Sequence, residues 1–527
     1  MKWITKLGIV ALIVVLAAGC SGGNKGSSNG SGKNGEATNK PSASSEPSAT
    51  ANDEPIEIAW LSFNFPAEDG SIGQKYIEEK FNVKIKNIRI DRANWKDQLN
   101  VRLASDELPD VWLLWGIADV NAYSGQNLLA ELPIDEIKAK MPSLAKLVDD
   151  NNPAAWSNGL INGKNYGIPI TNVDGIYPLL PYYNENWLKA IGYDAPPTTL
   201  EELEDVIYKF RNNDPDQNSK KDTYGLTGKG SLADLNQSFP YVFGAFDVQP
   251  QFWVEDGNGG LAYGMTTENA REAFKLLNKW FKDGVLDPEF ITADGNKKEF
   301  ENGLVGVKFD QWNYQRPTLR KQIKETDSTY FPTIAGTQVA APEYTGHGMA
   351  WGLTGNYMGM GVDVDKTPGK REKIYEILNA AYSDPEVMKY LNFGEEGVHH
   401  DLVNGLPVIK TEMTADKLNN LGIGAYYGIL SSKSLEGELL RYPTEDLEWR
   451  KQVVKDIPLM YDQVKFNIPS ASQFPDIKNM ESEYFIKFIT GDVDLDSGFD
   501  DFIGKWKKAG GEVLTKEVNE IYATNQK

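Results

Sequence analysis

Apolar and polar positions alternate from Ile56 onward. Ile56, Ile58 and Trp60 share one face before Leu61, which predicts a strand over Ile56–Phe63. A helix is expected near Ile72–Phe81, a strand at Val83–Ile90, a helix at Trp95–Ala104 and a short buried strand at Asp110–Leu114. This βαβαβ start implies a parallel sheet covered by helices, with ligand crevices at the carboxyl ends of its strands. The crevice loops are then Ser62–Gly70 and Trp115–Val120. Further along, Thr198 and Thr199 each stand three residues before a glutamate, so a capping box is available in either register. The helix they open carries the stripe Leu200, Leu203, Val206, Ile207 and Phe210. Another runs over Glu268–Lys282, with Ala270, Ala273, Phe274, Leu277, Trp280 and Phe281 inward and Gly284 as its stop. A third covers Lys370–Tyr382. Helical patterns close the chain around Glu448–Val464, Met480–Ile489 and Phe499–Ala509. No internal repeat is present.

The first 54 residues follow another pattern. Lys2 and Lys6 precede an apolar run, Gly8–Ala18, that is too short to span a bilayer comfortably. Ala17-Ala18-Gly19-Cys20 follows and resembles a bacterial lipobox, with Ala17 where most such boxes carry Leu. Residues 1–19 are thus expected to be a signal peptide, and Cys20, the single cysteine, a lipidated N-terminus outside the cytoplasmic membrane. Residues 20–54 hold no aromatic and no aliphatic side chain larger than Ala, so they cannot bury a core and serve as a flexible linker.

The formal charge of −21 is hostile to nucleic acid. With one cysteine no internal disulfide forms, so stability must come from packing.

The search for catalytic chemistry yields no isolated constellation. The only histidines are His347, His399 and His400, and neither H-E-x-x-H nor G-x-S-x-G occurs. No glycine-rich phosphate loop follows a strand. One polar cluster stands out: Asp214, Asp216, Asn218, Lys220 and Asp222 place oxygen donors at alternate positions, with Lys220 offering its backbone carbonyl. That spacing suits a structural calcium loop, although Ser219 replaces the turn glycine of an EF-hand and Gly225 stands where its bidentate Glu belongs. Aromatic residues are the other candidate group. Trp60, Trp112 and Trp280 lie on strand or inward helix positions and read as core. Trp115 and Trp312 follow apolar strand-like runs beside polar residues, where a ring can stack on a ligand.

Six segments, in order, resemble the extracellular solute-binding proteins of carbohydrate ABC importers, in particular the large lipoprotein subgroup that includes alginate-oligosaccharide binders. Ser105-Asp-Glu-Leu-Pro-Asp-Val111 resembles SGDLPDV. Asn162-Gly-Lys-Asn-Tyr-Gly-Ile-Pro169 resembles DGKIYGLP. Asn186-Trp-Leu-Lys-Ala-Ile-Gly192, with Pro197, Thr198, Glu201 and Glu202, resembles DWLDKLGL…P.T.EE. Trp280–Pro288 resembles WYKEGLIDP, Phe393–His399 resembles FGIEGVHY, and Phe488–Val493 resembles the closing IITGE segment. The resemblance covers residues 55–527. It implies an α/β, two-lobe, periplasmic-binding-protein-like fold with a hinge and an interlobe cleft. Lobe 1 is expected at 55–173 plus 346–397, and lobe 2 at 174–345 plus 398–527.

The resemblance also implies a monomer that takes an oligosaccharide ligand, delivers it to ABC permease subunits and is held at the membrane by its lipid anchor, with no enzymatic activity. Relatives often carry a calcium loop at 214–222, though here Thr223 stands where they have an acidic residue. Many relatives have Arg where Asn184 stands, a departure that would favour neutral sugars. The residues expected in the cleft are Asn64, Phe65, Asp69, Trp115, Asn172, Asp174, Trp312, Trp351, Glu396 and His399. A receptor for peptides or another nutrient on the same fold and an anchored polysaccharide-degrading enzyme are the alternatives.

Overall fold

The structure is a computed structural model. It describes residues 54–62, 66, 68–91, 95–105, 107–171, 179–228, 238–291, 300, 302–326, 331–351, 354–403, 405–424 and 442–525. The chain opens with strand β1 (Ile56–Ser62), helix α1 (Ile72–Phe81), strand β2 (Val83–Arg89), helix α2 (Trp95–Ala104) and strand β3 (Val111–Leu114). The alternation in β1 turns Ile58 and Trp60 into a fully buried face. Ser71 caps α1 by accepting from the Gln74 amide, and Asn82 ends it in the left-handed conformation. Helix α3 (Ile117–Gly125) and strand β4 (Ile168–Thr171) follow.

The chain then builds a second sheet from β5 (Leu179–Asn184), β6 (Tyr224–Leu226), β7 (Val305–Gln311) and β8 (Thr333–Ala335). Its helices include α4 (Leu200–Asn212) and α5 (Glu268–Lys282). Thr199 accepts from the Glu202 amide, while the Glu202 carboxylate accepts from Thr198, so both threonines serve the expected cap. The stripes predicted for α4 and α5 are buried, except that Leu200 and Phe281 are only partly covered.

Strand β9 (Thr354–Met360) returns to the first sheet, running antiparallel to both β3 and β4. The first sheet therefore has the order β2-β1-β3-β9-β4, and the second β8-β5-β7-β6. In the first, β1, β3 and β4 all end at one edge, where β9 begins. Each sheet has its own core, one around Ile58, Trp60, Tyr375 and Leu378, the other around Phe243, Phe274, Phe488 and Trp506. These are the two lobes.

Lobe 1 extends further than the sequence suggests. Helices α6 (Lys370–Ser383) and α7 (Pro385–Phe393) lead into a ribbon of β10 (His400–Val403) and β11 (Leu406–Ile409), all packed on the first lobe. The Gly424 amide donates to Leu391 O at 2.8 Å. A Cβ on Gly73 would lie 2.0 Å from the carbonyl oxygen of Gly422, so α1 and this segment touch backbone to backbone. Residues 398–424, expected in lobe 2, therefore sit on lobe 1. Gly348–Met349, expected in lobe 1, pairs with Leu459–Met460 and lies beside β5 in lobe 2. Successive described residues change lobe from Thr171 to Leu179, from Trp351 to Thr354 and from Gly424 to Tyr442.

Helix α8 (Thr444–Val454) is shorter than the predicted Glu448–Val464 because Pro458 cannot continue a helix and disfavours the helical conformation just before it. Helix α9 (Ile477–Thr490), helix α10 (Leu495–Trp506) and the terminal helix α11 (Glu512–Asn525) complete lobe 2.

Asp384 caps α7, accepting from the amides of Glu386 at 2.9 Å and Val387 at 3.3 Å, and pairs with Lys80 at 3.0 Å. Burial pushes its carboxyl up, but the Lys80 ammonium and the two N–H donors outweigh burial and hold it below the usual aspartate value. A carboxylate with a lowered folded pKa stabilises the fold above its unfolded value, near pH 4, and loses that contribution as pH falls through the folded value. Asp384→Ala is accordingly expected to cost about 1 kcal/mol in urea unfolding at pH 7. The difference from wild type should shrink as pH falls below about 4.

Candidate ligand-binding cleft

Trp115 stands immediately after β3, at the edge where β1, β3 and β4 end. Gly116 follows with φ 143°, and a Cβ there would lie 3.4 Å from the Gly355 carbonyl. The glycine thus lets the chain turn closely past the start of β9. The Trp115 amide donates to the buried Asp119 carboxylate at 3.0 Å. Its ring lies 6.4 Å from that of Trp95 at an interplanar angle of 46°. Trp115 remains 38% exposed at this edge.

A cavity of about 220 Å³ lies between the lobes. Lobe 1 contributes Ser157, Asn158, Leu160 and Asn162. Lobe 2 contributes Phe466, Asn467, Pro469 and Ile521. Asn162 and Gly163 form the two-residue turn joining Leu160–Ile161 to Lys164–Asn165, with φ of 51° and 78°. Both positive angles are what a tight hairpin turn requires, and Asn-Gly supplies them at low cost. Three asparagine amides and a serine hydroxyl face apolar walls, with no ionisable side chain among the described lining residues. Amides both donate and accept, so the cavity suits an uncharged ligand bearing hydroxyls and C–H faces. Pockets for drug-sized ligands run to about 300–1,000 Å³, so this space holds one part of any longer ligand.

The lobe 2 wall is braced from below. The amides of Trp253 and Val464 donate to Asp462 Oδ1 at 2.9 and 3.1 Å, and Gln463 N donates to Trp253 O at 3.0 Å. Burial pushes the Asp462 carboxyl up and the nearby Lys465 ammonium down. Deeper in the lobe, Glu481 is 2% exposed and accepts from Tyr263 Oη and Trp506 Nε1, each at 2.8 Å. Those two rings stack at 5.2 Å. Phe466 belongs to the same core as Trp506, so this network supports the cavity wall.

The residues expected from sequence fall in different places. Asn64, Phe65, Asn172 and Asp174 lie outside the described residues, as does Cys20. Asp69 is held by Asn87 at 2.7 Å and Arg89 at 2.5 Å, in that order the causes that keep its carboxyl below the usual range. Trp312, expected to stack on ligand, is fully buried. Tyr442 packs edge-on at 4.9 Å, and the Arg450 guanidinium lies 4.8 Å over the Trp312 ring. Helix α8 and the residues just before it cover this ring, a contact that no local pattern reveals. Trp351 is half-buried against Leu179, Phe252 and Met349 where the chain crosses between lobes. Glu396 is exposed and paired with Lys389 at 2.5 Å, which holds its carboxyl below the usual value. His399 is buried and accepts the Glu395 amide at 3.0 Å. Glu396 and His399 shape the base of the lobe 1 ribbon and do not line the interlobe cavity. Asn184 is 2% exposed and caps the helix Glu185–Ala190. Trp60, Trp112 and Trp280 are core residues.

The 214–222 loop is wound tightly, with left-handed Asp214, Gln217 and Ser219. Asp214 accepts the amides of Asn218 and Ser219 at 3.1 and 3.0 Å. Asn218 Nδ2 donates to Asp216 at 2.6 Å and to Asp222 at 3.2 Å. Burial and the neighbouring Asp214 and Asp222 carboxylates push Asp216 above the usual range. The donor set has the chemistry of a hard-cation site. Here the amide nitrogen of Asn218 faces two of its carboxylates, and Asn218 Oδ1 accepts from the Lys220 amide at 2.8 Å. Among the described residues, no three His, Cys, Asp or Glu side chains converge closely enough to hold a metal ion.

Comparison with known proteins places this architecture. The family of bacterial extracellular solute-binding proteins matches residues 72–358. The chain belongs to this family. As a solute-binding protein it is 25% identical to lipoprotein LipO of Bacillus subtilis, over 87% of this chain and 90% of LipO. It is 22% identical to the polygalacturonan/rhamnogalacturonan-binding protein YtcQ of Bacillus subtilis, over 89% of this chain and 92% of YtcQ. Among solved structures, the alginate-binding protein AlgQ2 without calcium ion superposes with a TM-score of 0.69 at 19% identity, covering 89% of this chain and 98% of AlgQ2. The solute-binding fold explains why the first sheet, which brings Trp115 to its edge, is completed by a strand that returns from the other lobe.

The lining residues Asn158, Asn162, Phe466 and Asn467 were not singled out from sequence. The Asn-Gly turn is a legible hairpin signal. What sits across from it depends on how the last 60 residues fold back.

Proposed function

We propose that this solute-binding protein captures oligosaccharides outside the cytoplasmic membrane and delivers them to the permease of an ABC importer. The observation that carries this reading is the interlobe cavity, where asparagine amides and apolar walls meet, with no ionisable side chain among the described lining residues. Sugars offer the matching surface, hydroxyls at the rim and C–H faces above and below the ring. Trp115, at the edge of the lobe 1 sheet, supplies a ring on which a further sugar unit stacks. The names of YtcQ, a polygalacturonan/rhamnogalacturonan-binding protein, and AlgQ2, an alginate-binding protein, support a carbohydrate ligand for this chain as well. Ligand seated between the lobes draws them together about the crossings, and the closed form signals occupancy to the permease.

Lipidation of Cys20 and the linker that follows complete the reading. A tether keeps the receptor near the permease and raises its effective concentration there. Stable anchoring takes more than one acyl chain, which a diacylated Cys20 supplies. The relative LipO is itself named a lipoprotein.

A melting screen against oligosaccharides from plant polysaccharides, with peptides as controls, tests the proposal. Ligand that binds only the folded state raises the melting temperature with its concentration. A rise with one oligosaccharide class is expected. A rise with peptides alone would contradict it.

The 214–222 loop is proposed to draw together on calcium, with the carboxylates of Asp214, Asp216 and Asp222, which do not converge in this structure, joined by the backbone carbonyl of Lys220 and by Asn218 turned so that its oxygen faces inward. Calcium added to EDTA-treated protein is expected to raise the melting temperature, and Asp216→Asn to abolish that rise. Equal melting in calcium and EDTA would leave the loop a solvated acidic turn.

A further inference from the structure

Two asparagines that line the interlobe cavity are each followed by glycine, as Asn158-Gly159 and Asn162-Gly163. An Asn-Gly pair is chemically labile. The glycine amide nitrogen reaches the asparagine Cγ by closing a five-membered ring, and glycine adds no side chain to hinder that approach. In a folded chain the pair is protected when that amide is hydrogen-bonded or packed.

The two pairs differ in both respects. Gly159 N donates to Ser157 O, and a Cβ on Gly159 would lie 3.0 Å from the Tyr357 ring, so this pair is tied and enclosed. Gly163 N has no acceptor among the described residues, and a Cβ on Gly163 would meet nothing within 4 Å. Asn162 and Gly163 are both exposed, and the Asn162 side chain makes no hydrogen bond among the described residues. The hairpin base is fixed, because Asn165 O accepts from Leu132 N and Asn165 Nδ2 donates to Leu132 O, each at 2.8 Å. Only the tip is free. Two further Asn-Gly pairs are restrained as well. Gly303 N donates to Phe300 O at 3.1 Å, and Asn258 Nδ2 donates to Asp256 O at 3.3 Å.

We infer that Asn162 is a site of spontaneous deamidation, by which the receptor retires its own binding cavity with age. The Gly163 nitrogen, its proton given to a solvent base, attacks Asn162 Cγ. The new C–N bond closes a succinimide, the Cγ–Nδ2 bond breaks, and ammonia leaves with a proton from water. Water then opens the ring at either carbonyl, giving aspartate or its β-linked isomer. Both products place a carboxylate among lining residues that hold no ionisable side chain where described, and both remove an amide donor. The β-linked product also adds a main-chain atom to a two-residue turn. A ligand seated against Asn162 shields Cγ and slows the change. These consequences for binding rest on the oligosaccharide reading; the chemistry at Asn162 does not.

The test ages the full chain in mildly alkaline buffer, with and without the oligosaccharide class that raises its melting temperature. Fragmentation mass spectrometry follows the amide-to-acid change residue by residue. Conversion at Asn162 is expected about fivefold faster than at Asn158 or Asn258, whose hydrogen bonds must first be broken. Saturating sugar should slow it by a similar factor. The converted chain should bind that sugar about tenfold more weakly in titration calorimetry, and Asn162→Asp should show the same loss without ageing. Asn162→Gln keeps every other Asn-Gly pair but must close a larger ring, so its affinity, whatever its starting value, should hold through ageing. Conversion at Asn162 no faster than at Asn158 and Asn258 would overturn the site. Conversion with unchanged affinity would overturn its effect on the cavity. Conversion in a chain that binds no oligosaccharide would sink the cargo reading and leave the modification site standing. Sugar binding in a chain that stays unconverted at Asn162 would do the reverse.

Discussion

Replacing Trp115 by alanine is expected to weaken oligosaccharide binding about tenfold, because the loss of one aromatic stacking surface is worth about 1–1.5 kcal/mol. The ring is 38% exposed at the end of β3 and oriented by its own amide bond to Asp119, so its removal leaves the lobe 1 core intact. Melting temperature without ligand should therefore change little. Trp115→Phe retains a ring and should recover most of the affinity. Titration calorimetry on the three proteins separates these outcomes. Equal affinity for wild type and Trp115→Ala would remove this ring from the binding surface.

The largest stability effect is expected at Glu481. Its carboxylate is the acceptor for both Tyr263 Oη and Trp506 Nε1. Lys478, 3.0 Å away, is mostly solvent-exposed and keeps its hydration without the partner. Glu481→Ala leaves two buried donors without an acceptor, each costing about 1–3 kcal/mol, for a total of about 2–6 kcal/mol. Glu481→Gln retains an acceptor oxygen and should lose about half as much. Urea unfolding followed by tryptophan fluorescence measures both. Because Phe466 packs in the same core, Glu481→Ala should also weaken ligand binding through a looser cavity wall. An unfolding midpoint equal to that of wild type would show that the network contributes nothing net.

Sequence pattern and structure agree where information is local. The alternation Ile56, Ile58, Trp60 gives β1, and the paired threonines at 198 and 199 give the cap of α4. They part where placement depends on distant residues. Nothing near 397 says that the chain stays on lobe 1 until Gly424, because that assignment comes from the backbone contact of Gly73 with Gly422. Trp312 has the local surroundings of a stacking ring, yet the segment starting at Tyr442 covers it. Asn184 resembles a substitution in a binding site and is instead a helix cap, a role its residue type favours. The cavity itself was hidden in sequence because its two walls lie some 300 residues apart, one after Trp156 and the other after Lys465.

Capture between the lobes is tested most directly by their separation. The lone cysteine, Cys20, lies before the folded part, so cysteines introduced at Lys146 of lobe 1 and Val513 of lobe 2 can be spin-labelled selectively in a Cys20→Ser background. Both sites are exposed. Double electron–electron resonance then reports the distance between lobes with and without the oligosaccharide class that raises the melting temperature. A change to one narrower distance distribution on adding that sugar, absent with peptides, is the predicted result. An unchanged distribution at saturating sugar would contradict capture by closure of the two lobes.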